Sequence, residues 1–214
     1  MLKLIFLGCT EHMARVVKMN KCYRVLSTNE FADEILNLIH RLDLSHLSLG
    51  ISGGSQLKIL SQLNHLLSDF NLDVWCVDER IDPSFSNLEQ AKRVQIGENI
   101  TWHDLKQEIP TAPLDIVLLG CGPDGHTASI FPNTKSIAND KVVAIDDSPK
   151  EPKERISMTL SFLNQCKIKV FIVTGAEKAE IVHKILVEKD TSLPAAMITD
   201  ALWLLDRDAA SKIS

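Results

Sequence analysis

The run GCGPDGHTASIFP, residues 120–132, places Asp124 and His126 two positions apart in a glycine-rich segment that follows the apolar run LDIVLLG. Histidine is the side chain that titrates nearest neutral pH, and a carboxylate beside it can orient the ring and raise its pKa. Such a pair suits the removal of a proton from water or a hydroxyl. Glycines that let the backbone approach a ligand, and the hydroxyls of Thr127 and Ser129, set His126 apart from the remaining histidines. His12, His40, His46, His65, His103 and His183 read as helix-face or surface residues.

Three other stretches carry groups suited to an anion. In SGGS, residues 52–55, Gly53, Gly54 and Ser55 stand between a strand-like run and a helix-like one. The amides at a helix start, with its partial positive charge, favour a phosphate or carboxylate there. In VDERIDPSFSN, residues 77–87, Arg80 offers a planar fork matched to phosphate, two acids precede it, and Ser86-Asn87 is a pair able to cap a helix. That loop is expected to hold a polyol and meet an anion. The last stretch pairs Arg155, in ERISMT, with Lys178, in VTGAEKAE on the first turn of a helix. A cation there opposes the helix dipole by about 0.3–1 kcal/mol, a cost that a shared anionic ligand reverses.

Gly120, Gly122 and Gly125 also spell G-x-G-x-x-G after a strand, with Asp146 ending the next apolar run, as a dinucleotide-binding unit would. Such a unit needs a helix after its glycines. Pro132 and the polar NTKSIAND interrupt any helix there within two turns, so this reading is set aside.

The elements that position these loops are short apolar runs alternating with amphipathic stretches. LSHLSLGIS, LDVWCV, LDIVLLG and IKVFIVTG read as buried strands, and AAMITDALWLLD as one or two more. Thr28-Asn29 caps a helix carrying Phe31, Ile35, Leu38, Ile39 and Leu42; Leu57, Leu60, Leu63, Leu67 and Phe70 mark a second; residues 176–189 form a third. DDSPKEPKER, residues 146–155, reads as a surface loop. The pattern predicts an α/β fold, a three-layer α/β/α sandwich around a mostly parallel, Rossmann-like sheet, with residues 1–214 as one domain. In such sheets ligands sit beyond the carboxyl ends of the strands, where the four loaded loops fall.

Composition narrows the class further. The chain has 214 residues, 45% hydrophobic and 24% charged, with a net charge of −5, the balance of a soluble protein and not of a nucleic-acid binder. The five cysteines are scattered, lack a C-x-x-C pair and read as reduced thiols of a cytoplasmic protein. MLKLIFLGC is too short an apolar run for a signal or a membrane span and reads as a first strand.

From about residue 28 onward the ordered set SGGS, VDERIDPSFSN, GCGPDGHTASIFP, ERISMT, VTGAEKAE and LPAAMITDALWLLD resembles the 6-phosphogluconolactonase family. The resemblance implies hydrolysis of 6-phospho-D-glucono-1,5-lactone to 6-phosphogluconate in the oxidative pentose phosphate pathway, with no metal or organic cofactor and a small sugar-phosphate lactone as the partner. By position, it makes His126 the general base and Asp124 its supporting acid. It makes Gly53, Gly54, Ser55, Arg80, Arg155 and Lys178 the binders of substrate and phosphate, leaving open which cation meets the phosphate directly. One departure is Gln56, standing where the family usually has a hydroxyl residue. The alternatives are a glucosamine-6-phosphate deaminase, whose loop carries a glutamate shortly before the proline where this chain has Ile130-Phe131, and a non-catalytic sugar-phosphate sensor.

Overall fold

Ile116–Leu119, Val170–Val173 and Leu202–Leu205 are apolar without a break and wholly buried, as strands covered on both faces must be. The structure, a computed structural model, describes residues 22–54, 56–63, 66–94, 96–133 and 140–213. The strand expected over residues 1–9, Ser55, His12 and His65 lie outside the described residues.

Ten strands are present among the described residues: β1 Cys22–Val25, β2 His46–Ile51, β3 Asn71–Cys76, β4 Asp78–Arg80, β5 Asn99–His103, β6 Ile116–Leu119, β7 Val142–Ile145, β8 Arg155–Met158, β9 Ile168–Val173 and β10 Leu202–Leu205. The α-helices are α1 Glu30–His40, α2 Gln56–Leu63, α3 Asn87–Lys92, α4 Leu160–Gln165 and α5 Ala179–Leu186. Seven strands form one parallel sheet in the order β1-β10-β9-β6-β2-β3-β5. A second, antiparallel sheet of three, β4-β8-β7, stands apart from it.

Strand alternation divides the apolar residues between two cores. Leu47, Leu49, Ile51, Ile116, Leu118, Val170, Ile172, Leu202 and Leu204 pack with Phe31 and Ile35 of α1, Leu60 of α2 and Leu88 of α3. Val117, Leu119, Phe171, Val173, Trp203 and Leu205 point the other way, against Phe162 of α4 and Val182 and Ile185 of α5. Helices thus cover both faces, giving the three-layer sandwich and Rossmann-like sheet expected.

Local detail departs from the expectation in four places. Asn29 occupies the N-cap of α1 but makes no side-chain cap bond; instead Glu30 Oε2 accepts from Ser27 N and Oγ, at 2.8 and 2.6 Å. Helix α2 ends at Leu63, and Leu67 and Phe70 reach the same core from the connection to β3. Residues 176–178 form a single 3-10 turn before α5, where the helix was expected to have begun. Within the segment expected to be a surface loop, Ser148 and Arg155 are buried, and Arg155 opens β8.

Candidate active site

The carboxyl ends of β2, β6 and β9 lie side by side in the large sheet, and the loops leaving them form one wall of a cleft of about 270 Å³. Strands β4 and β8 form the opposite wall. Their inner face is set by the period of two: Asp78 and Arg80 on β4 stand opposite Ser157 and Arg155 on β8, so both arginines line the cleft. Glu79 points the other way.

The loop after β6 carries the pair. His126 Nδ1 donates to Asp124 Oδ1, and Gly122 N donates to His126 O at 2.9 Å, which closes the loop on itself. An ionised carboxylate only accepts, so Nδ1 holds the ring proton and Nε2 keeps its lone pair. Nε2 has no hydrogen-bond partner among the described residues. Phe131 packs against the ring with centroids 4.5 Å apart. Gly122 leaves the space that His126 and Asp124 occupy, since a Cβ at residue 122 would overlap both, and Gly125 takes a φ of +80° in the turn. No helix follows these glycines before residue 133, so the dinucleotide geometry is absent.

Asp124 works to raise the pKa of His126, as the sequence suggests, but the net shift is downward. Burial, which disfavours the imidazolium, outweighs Asp124 and holds His126 below its ordinary value, with Lys150 adding to the lowering. Burial works to raise Asp124, but the hydrogen bond from His126, its charge and Lys150 together hold the carboxyl below its usual range. The pair is therefore a neutral imidazole on an ionised carboxylate at neutral pH.

Arg155 is only 5% exposed, and its guanidinium donates to Pro152 O at 2.9 Å, Lys150 O at 3.0 Å, Glu151 O at 3.4 Å and Ser129 Oγ at 3.4 Å. It shapes the 148–152 loop as well as lining the cleft. Arg80 donates to Asn87 Oδ1 and to Phe85 O, while its buried Nε has no partner among the described residues. Asp78 is buried, accepts from Ser129 Oγ at 2.6 Å, and burial pushes its carboxyl up despite Arg80 and Arg155.

Of the two acids in the loop expected to hold a polyol, Glu79 does not line the cleft. It is 1% exposed and accepts from Arg80 N and Asn87 N at 2.7 Å, Leu88 N at 2.8 Å and Ser86 Oγ at 2.9 Å, closing the N-terminus of α3. Ser86 is the N-cap expected, accepting from Glu89 N at 3.1 Å.

Gly53 and Gly54 line the cleft, Gly54 with a φ of +78°. Asn87 lies against Gly53 so closely that a Cβ there would collide with it. Ser55 lies outside the described residues. Gln56 is turned inward, donating from Nε2 to Ile172 O at 3.1 Å, and so ties the start of α2 to β9. Lys178 lines the cleft from the N-cap of α5, and its ammonium has no bonded partner among the described residues. The structure thus brings Gly53, Gly54, Arg80, His126, Arg155 and Lys178 to one cleft, and Asp124 joins them through its hydrogen bond to His126.

Sequence reasoning missed Lys150 and Asn87, which share that lining. Nothing in SPKEPK marks one lysine, but SFSN did carry the signal for a cap, and a residue beside a cap is held in place. Burial raises the thiols of Cys76, Cys121 and Cys166, Cys121 to about 12, which makes them packing residues and not nucleophiles.

Residues 88–204 match the family model described as glucosamine-6-phosphate isomerases/6-phosphogluconolactonase. A Rattus norvegicus protein named 6-phosphogluconolactonase is 44% identical over 111 residues, 49% of this chain and 43% of that one. A Caenorhabditis elegans protein named "Putative 6-phosphogluconolactonase" is 34% identical over 206 residues, 78% of this chain and 76% of that one. The crystal structure of devB protein superposes with a TM-score of 0.73 at 28% identity, over 90% of this chain and 99% of that chain. The match spans less than half the length of the rat protein and about three quarters of the nematode one. The chain belongs to the family that the model describes.

Proposed function

We propose that this chain hydrolyses 6-phospho-D-glucono-1,5-lactone to 6-phosphogluconate, the lactonase and not the deaminase branch of its family. The observation that carries the reading is the neutral His126, tethered to ionised Asp124, with Nε2 unbonded among the described residues, in a cleft also lined by Arg80, Lys150, Arg155 and Lys178. The residues before Pro132 are Ile130 and Phe131, both buried, so the loop offers no carboxylate where a deaminase carries its glutamate.

In this mechanism His126 Nε2 takes a proton from a water as the water's oxygen attacks the lactone carbonyl. The C–O bond to the ring oxygen then breaks as the imidazolium returns the proton to that oxygen, and the acid formed loses its own proton to solvent. Asp124 steadies the ring through Nδ1 and balances the charge it gains. General-base assistance of this kind is worth about 10²- to 10⁴-fold. The cations that line the cleft hold the phosphate, whose binding energy fixes the reacting carbon at Nε2.

Freshly prepared lactone, with acid release followed above spontaneous opening, tests the reading. His126→Ala is expected to lower kcat by at least about 10²-fold while leaving KM within a few-fold, since the imidazole acts in the transition state. Wild-type turnover by that variant, or ammonia release from glucosamine 6-phosphate by the native protein, would refute it.

A further inference from the structure

Asp124 has two carboxylate oxygens, and the structure uses them differently. Oδ1 accepts from His126 Nδ1; Oδ2 lies 3.4 Å from Lys150 Nζ, which is also 3.4 Å from His126 Nδ1 and 5.6 Å from the centre of the Phe131 ring. The lysine side chain is 45% exposed, and an ion pair at such exposure contributes little to folding. Its backbone, however, is fixed. Lys150 O accepts from Arg155 Nη2 at 3.0 Å and from Ser148 Oγ at 2.9 Å, and Lys150 N donates to Ser148 Oγ at 3.3 Å, both partners being buried residues. A lysine so anchored, with its ammonium over the acid–base pair, is placed and not merely solvated.

We propose that Lys150 is a positioning residue for that pair: its ammonium holds Asp124 through Oδ2, the oxygen not bonded to His126, and lies close enough to the ring to oppose a second positive charge there. The inference rests on the lactonase reading. It adds a group from the 148–152 loop to the pair on the loop after β6. Among the groups facing His126, Asp124 on its own loop and Asp78 on β4 favour the charged ring, while Lys150 opposes it. Arg80 on β4, Arg155 on β8 and Lys178 at the start of α5 line the same cleft. Lys150 reaches both members of the pair, with Nζ 3.4 Å from Asp124 Oδ2 and 3.4 Å from His126 Nδ1. A direct grip on the substrate phosphate is the competing role for it.

Lys150→Met keeps the length of the stem and removes the charge; Lys150→Arg restores a cation. The first readout is the NMR titration of the His126 ring in ligand-free native and variant protein, which needs no turnover. The midpoint is expected to rise in Lys150→Met and to return toward native in Lys150→Arg. The second is the pH profile of kcat/KM with the lactone: the acid limb moves to higher pH, so that Lys150→Met loses about threefold to tenfold more at pH 5.5 than at pH 8. A midpoint that stays put while KM rises equally at all pH values overturns the proposal and assigns Lys150 to the phosphate. If the midpoint moves but no protein turns over lactone, the electrostatic role stands and the lactonase reading falls.

Discussion

Replacing Glu79 tests whether the cation wall of the cleft depends on one buried carboxylate that does not itself line the cleft. Glu79 Oε1 accepts from Arg80 N and Asn87 N, and Oε2 accepts from Leu88 N and Ser86 Oγ, with Asn87 and Leu88 both buried. In Glu79→Gln the amide NH₂, placed toward Ser86, finds an acceptor in that hydroxyl and leaves chiefly Leu88 N unpaired, at about 1–3 kcal/mol. In Glu79→Ala the buried N–H groups of Asn87 and Leu88 are both orphaned, at about 1–3 kcal/mol each, and the cavity left adds to that, so the expected loss is at least about 3 kcal/mol. That is a large share of a stability of about 5–15 kcal/mol. Urea unfolding of the three proteins measures it through the midpoint at constant slope. Asn87 also accepts from Arg80, so loosening α3 also frees Arg80, and KM for the lactone is expected to rise in Glu79→Gln where the fold survives. Equal stability of native, Gln and Ala proteins, within about 0.5 kcal/mol, would refute the accounting.

Two other expectations follow from the same geometry. His103 stacks on Trp75 with centroids 4.2 Å apart and bridges Asp73 and Glu108; burial works to lower its pKa, but those two hydrogen bonds and charges raise it above 6.5. Its stabilising contribution is complete below the unfolded value and fades as pH rises through the folded one, so the gap in melting temperature between native and His103→Gln protein should narrow from pH 6 toward pH 9; a constant gap counts against it. Gly122→Ala should cost about 1–3 kcal/mol by overpacking yet lower kcat/KM by about 10²-fold, because the new methyl displaces both His126 and Asp124; matched thermal melts and lactone kinetics separate the two effects.

The buried strands and helices α1, α2 and α5 were legible because a two-faced strand demands apolar residues at every position and an amphipathic helix at every third or fourth, whereas the six-residue α4 is too short to show that period. The Asp124–His126 pair was legible because the two groups are near in sequence and the hydrogen bond is local. The second sheet was not. Its strands are three or four residues long, and DER and RISM carry charges that resemble loop composition until they face each other. The direction of Glu79 was not legible for the same reason: without the strand, nothing says that it points away from Asp78 and Arg80. The sign of the His126 shift depends on burial, which the sequence names only through the neighbours that later pack around it.

The second sheet also explains how an acidic chain concentrates positive charge. Arg80 and Arg155 sit directly opposite in the β4–β8 ladder, and like charges in that register repel. Burial and then the charge of Arg80 hold Arg155 below its usual value, so the strain is visible at the one guanidinium that cannot move to solvent. The fold offsets it in part with Asp78, placed two residues from Arg80 on the same face. It does not offset it fully, because Asp78 spends one oxygen on Ser129, and Arg80 Nε lacks a partner among the described residues. A dianionic phosphate lying over the face that carries both arginines would relieve both at once. If the proposed function holds, the repulsion between Arg80 and Arg155 is expected to favour a doubly charged ligand group over a neutral sugar.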